Sequence, residues 1–167
     1  MAEYITSMDE TNIVKKMLLS KGSDFYLNML VPDENILKRE PSGIYQFPCI
    51  VISKISASEE GFVGDIGTGG SLENIQPSTI VLSIRSLHHI EKTYNGVNYK
   101  EEELVRLIRD VIKQIMFQNK QFSDDSQPDT EYIVEYMASD IDTGAITVIG
   151  PMFMINLTYT FTFRMIR

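Results

Sequence analysis

Phe153-Met154-Ile155-Asn156-Leu157-Thr158-Tyr159-Thr160-Phe161-Thr162-Phe163-Arg164-Met165-Ile166 is the stretch on which the fold turns. Every odd position from Phe153 to Met165 is large and apolar. The even positions from Asn156 to Arg164 are Asn, Thr, Thr, Thr and Arg. Side chains alternate faces along a strand, so the pattern predicts one long strand with an apolar and a polar face. At ~3.3 Å per residue it extends roughly 45 Å, longer than a typical strand. Its apolar face requires a cover, and the rest of the chain can be searched for one.

The best cover is a helix predicted over 99–119. Asn98 precedes it as a capping residue, Glu101 follows at capping-box spacing, and Glu102 and Glu103 suit the positive end of the helix dipole. Leu104, Leu107, Ile108, Val111, Ile112 and Ile115 recur on one side, while Arg106, Arg109, Asp110, Lys113 and Gln114 lie mainly off it. This stripe is expected to meet the odd face of the terminal strand. A shorter helix is predicted over 7–21, with Ser7 and Glu10 as a capping box and Ile13, Val14, Met17 and Leu18 on one face. Lys21 suits its C-terminal dipole, and Gly22 suits a left-handed stop.

Further strands are expected over 44–55, 79–92, 131–138 and 145–149. Pro48 inside the first implies an edge, a bulge or two shorter pieces. Asn95-Gly96 signals a turn, as do Asp140, Asp142 and Gly144, and Gly150-Pro151 breaks the chain before the terminal strand. The periodicity of 23–32 fits strand and short helix alike, and Pro32 closes that element. Residues 33–43 and 120–130 read as polar loops. Together these elements predict a single α+β domain over 1–167. It has a mainly antiparallel β-sheet, one long amphipathic helix packed on one face, and a short N-terminal helix. A long flexible glycine-rich loop is expected at about 56–78.

The 167 residues are 43% hydrophobic, enough for a folded core. No apolar run approaches the ~20 residues that span a bilayer, and the N-terminus lacks a signal-peptide pattern, so no membrane is expected. Cys49 is the lone cysteine, which excludes a disulfide within the chain. The formal net charge is −8, with no obvious basic patch for gripping nucleic acid. Such acidity suits solubility, or a surface that faces nucleic acid without holding it.

The candidate chemical motifs are weak. Gly64-Asp65-Ile66-Gly67-Thr68-Gly69-Gly70-Ser71 lacks the Gly-Lys-Ser/Thr ending of a phosphate loop. His88 and His89 are adjacent on an expected strand and would point to opposite faces, which does not suit one metal ion. Asp140-x-Asp142-x-Gly144 has the wrong spacing to glycine for a calcium loop and reads as a solvated hairpin turn. Asp124, Asp125, Asp129 and Glu131 read as a solvated loop. Cys49 reads as a small core residue. Asn156-Leu157-Thr158 matches a glycosylation acceptor only by accident of its strand position. No catalytic, cofactor or metal residues are assigned, and the chain is read as a non-enzyme.

The order of elements resembles the tail-terminator, or tail-completion, proteins of long-tailed bacteriophages. A capped N-terminal helix comes first, then two apolar strands about a long loop. A charged amphipathic helix follows from Lys100-Glu101-Glu102-Glu103, and a terminal Thr/aromatic strand closes the chain. The resemblance implies a structural virion protein, assembled in the host cytoplasm and located in the tail or neck. Such a protein forms a homo-oligomeric, hexameric ring that caps the tail tube and joins it to the head. Its partners are tail tube, sheath, neck or connector proteins, and DNA passes through without specific binding. Glu59, Glu60, Asp65 and Glu73 are then expected on a loop at an interface or lumen. The alternatives are another neck or connector component, a small nucleotide-binding domain using the glycine-rich stretch, or a protein-interaction domain using exposed strand edges.

Overall fold

The computed structural model describes residues 10–38, 40, 46–57, 74–119, 121–123, 131–139 and 145–166. In chain order these form α1 (Glu10–Gly22), two single-turn 3-10 segments (Ser23–Phe25 and Asp33–Asn35) about α2 (Leu27–Leu30), and β1 (Ile36–Leu37). There follow β2 (Cys49–Ala57), β3 (Asn74–Leu87), the hairpin β4 (Glu91–Tyr94) and β5 (Val97–Lys100), and α3 (Glu101–Gln118). The chain then forms β6 (Gln121–Ser123), β7 (Glu131–Ser139), β8 (Thr147–Ile149) and β9 (Met152–Ile166). The class is α+β, as expected.

The terminal stretch is one strand, and it lies inside the sheet. Seven strands run in the order β1-β2-β3-β9-β7-β6, with β8 also paired to β9. On one side β9 is antiparallel to β3 over fourteen residue pairs, from Asn74 opposite Met165 to Leu87 opposite Met152. On its other side, β7 pairs with 159–166 and β8 with 152–154. β9 is thus paired on both sides except at 155–158, where β3 alone is its neighbour among the described residues. Among the described strands only β1 is parallel to its sheet neighbour, β2.

The odd face of β9 is the core face, as its alternation predicts. Ile155, Leu157, Tyr159 and Phe161 are buried with Ile80, Leu82 and Ile84 of β3, Ile50 and Ile52 of β2, and the helices. From α3 come Leu104, Val105, Ile108, Val111, Ile112, Ile115 and Met116. Leu107, read as part of the stripe, is only partly buried, and Val105 and Met116 widen it. Seven such side chains at ~1.5–3 kcal/mol each offer on the order of 10 kcal/mol before conformational entropy is charged. α1 adds Ile13, Val14, Met17 and Leu18, the four residues its spacing singled out.

Several local expectations are corrected. Gly22 is right-handed (φ −64°) and continues from α1 into the 3-10 turn. The left-handed residue is Tyr26 (φ 58°), four positions on. Of the two readings open for 23–32 the helical one holds for Ser23–Phe25 and Leu27–Leu30, and Val31, placed before Pro32, is extended, as proline requires of its predecessor. Asn98 does not cap α3. It lies in β5, and its Oδ1 accepts a hydrogen bond from Thr93 Oγ1 at 2.5 Å. Lys100 holds the cap position with no side-chain hydrogen bond, and Glu101 turns the chain at φ 56°. Pro48 stands one residue before β2 rather than inside it. Of the stretch expected as a loop at 56–78, residues 56–57 belong to β2 and 74–78 to β3, while 58–73 lie outside the described residues. Asn95 (φ 50°) and Gly96 (φ 79°) form a two-residue hairpin loop of the kind their pairing predicts.

One buried charge holds α1 to the sheet. Glu10, 2% exposed, receives Lys54 Nζ at 2.7 Å on Oε2. Among the described residues neither carboxylate oxygen has a hydrogen-bond partner apart from this ion pair. Lys54 follows Ile50 and Ile52 on the core-facing row of β2, so its stem runs along the core and its ammonium meets the first turn of α1.

Val111, 5% exposed, tests the helix orientation. Val111→Asp is expected to cost on the order of 4 kcal/mol through an unpaired buried charge, and urea unfolding measures it. Lys54→Met is expected to cost about 2–3 kcal/mol, somewhat less than a fully buried pair, because Lys54 is partly hydrated. Adding Glu10→Gln to Lys54→Met should recover much of that loss. A double-mutant cycle with additive terms would show that the pair contributes nothing.

Candidate functional site

α1 packs on β2 and α3 on β3 and β9, all on one face of the sheet, and the even positions of β9 from Met154 to Thr160 belong to the other. On that second face the register aligns Cys49, Arg85 and Met154 in one row. Val51, Ser83 and Asn156 form the next, and Ser53, Val81 and Thr158 a third. The first two rows are well covered at the β2 side, where Cys49, Val51 and Ser83 are buried. Arg85 lies over this end. Its guanidinium forms a two-pronged pair with Glu40, from the connection between β1 and β2, at 2.5 and 2.8 Å. Its Nε donates to Ser83 Oγ at 3.1 Å. Toward the other end Val81, Thr79, Thr158 and Thr160 are only half-buried. Ile55, which sits at a bulge in β2, is 65% exposed. Among the described residues Ile55, Ser53, Thr79, Val81, Thr158 and Thr160 make an uncharged strip.

Two titratable groups respond to this arrangement. The hydrogen bond from Arg85, reinforced by its charge, holds the Glu40 carboxyl below its ordinary value, against a smaller opposing effect of burial. Burial pushes the Cys49 thiol up to about 12, with the positive charge of Arg85 pulling weakly the other way. The thiol is therefore a core group and no nucleophile at neutral pH.

Ala57 and Asn74 flank residues 58–73, and Ser123 and Glu131 flank residues 124–130. All four flanking residues lie at the end of the sheet where β9 finishes, because Asn74 stands opposite Met165 and Glu131 opposite Ile166. The two segments hold Glu59, Glu60, Asp65, Glu73, Asp124, Asp125 and Asp129, and no Lys or Arg. Seven carboxylates therefore belong to stretches that start and finish at one sheet end. The sequence alone gave the two acidic stretches, and only the strand register brings their ends together.

Glu59, Glu60, Asp65 and Glu73 themselves lie outside the described residues, as do the glycine-rich stretch 64–71 and Asp124, Asp125, Asp129, Asp140, Asp142 and Gly144. β7 and β8 are both antiparallel to β9 and so run in the same direction. His88 and His89 lie in the turn after β3 rather than on a strand. Their rings meet edge to face at 5.6 Å, and both are exposed. Among the described residues no three His, Cys, Asp or Glu side chains converge as metal ligands. An open hollow of about 480 Å³ at the start of α3 is lined by Lys100, Glu101, Glu102, Glu103 and Phe153. Its described lining offers carboxylates and an ammonium, with no hydroxyl or thiol to act as a nucleophile.

Two measurements check this face. Glu40→Gln should lower stability by about 0.5 kcal/mol at pH 7, a small effect because Glu40 is largely exposed. The folded carboxyl titrates below its usual 4.5, so the stabilisation is fully present above that value and is lost as pH falls through the depressed one. Parent and variant should therefore converge in acid. Cys49 should resist a thiol reagent at pH 8 and react fully once the chain is unfolded; rapid labelling of the folded protein would contradict its burial. No protein-family model matches the chain, and no curated protein matches it.

Proposed function

We propose that the chain is a structural virion subunit of the tail-terminator kind. In this reading copies assemble into a hexameric ring that caps a tail tube and joins it to the head or neck, and DNA passes through the centre. The observation that carries the reading is the arrangement of charge. Seven carboxylates, unaccompanied by Lys or Arg, belong to two stretches whose flanking residues share one end of the sheet. Stretches with that balance, turned toward a channel, repel a polyanion and let it slide. The element order, with a charged amphipathic helix from Glu101 and a long terminal strand, is the one on which the resemblance rests. The uncharged strip on the second sheet face gives such a subunit a surface of the composition found at the centre of protein interfaces, where charge is depleted. The work of such a subunit is mechanical, so it is read as a non-enzyme with no cofactor.

Native mass measurement with negative-stain imaging tests the ring. The expected result is a hexamer, or a monomer that becomes one on a tail tube. A strict monomer that never binds tube protein would overturn the proposal. The electrostatic part has its own test. Replacing Glu59, Glu60 and Glu73 by Gln and Asp65 by Asn should leave the fold and the assembly state unchanged. It should raise retention of duplex DNA at low salt at least severalfold in a gel-shift titration, because removing repulsion strengthens any residual contact. Unchanged retention would place these carboxylates away from the DNA path.

A further inference from the structure

We draw no further inference here: the strongest candidate, the uncharged strip of Val81, Thr158 and Thr160 beside the bulged Ile55 on the sheet face turned away from the helices, carries nothing because nothing in the structure shows what covers it.

Discussion

The antiparallel ladder between β3 and β9 is the constraint that the other elements answer. Fourteen residue pairs fix both strands over their whole shared length, and a shift of one residue would turn every side chain of the shifted strand to the wrong face. Were β3 to slip, Ile80, Leu82 and Ile84 would leave the core face that Ile155, Leu157, Tyr159 and Phe161 occupy. The helical layer is the complement of that apolar strip. α3 lies over β3 and β9, while α1 packs toward β2 and against α3. Neither helix requires strong intrinsic stability, because each is held by an apolar face that is already laid out beneath it.

Two ion pairs mark the two faces of the sheet, and their physics differs. Glu10 and Lys54 meet on the helical side, with the carboxylate almost wholly out of water. Such a pair adds little over a well-packed apolar alternative, yet losing one partner is costly, so it specifies where α1 begins on the sheet. Glu40 and Arg85 meet on the other side, with the carboxylate largely in water. Their geometry is two-pronged, but solvent screens the charge. The larger consequence is steric: the arginine lies over the rows that hold Cys49 and Ser83, and the connection that carries Glu40 is anchored to the sheet there.

Periodicity made the long-range parts of the fold legible. The alternation of 153–166 and the stripe of 104–115 each repeat several times, and each named the face that is buried. Single-residue signals read less well. Asn98 and Gly22 have the right chemistry for caps, but Asn98 is engaged by Thr93 across a hairpin, and Gly22 is carried on into a further turn. Tertiary context overrides a preference worth about 1 kcal/mol. Glu10 shows the same limit from the other side. Its capping-box spacing assigned it to the helix start and nothing more, whereas it is buried and paired with Lys54, forty-four positions later. The one hint was a lysine placed where the alternation of Ile50 and Ile52 calls for an apolar residue. The shared end of the two acidic stretches could not be read at all, because strand order is invisible to local pattern.

The continuity of direction from β7 into β8 bears on how this chain can change length. Between Ser139, opposite Tyr159, and Thr147, opposite Met154, the chain takes eight steps where β9 takes five. The excess is three residues, so the registers of β7 and β8 on β9 do not demand the shortest possible chain between them. A tight hairpin such as Asn95-Gly96 has no such freedom, since one added residue changes the type of turn. Length variation among descendants of this sequence would thus be absorbed at 140–146 more readily than at 95–96, and a peptide grafted there would leave both flanking ladders in register.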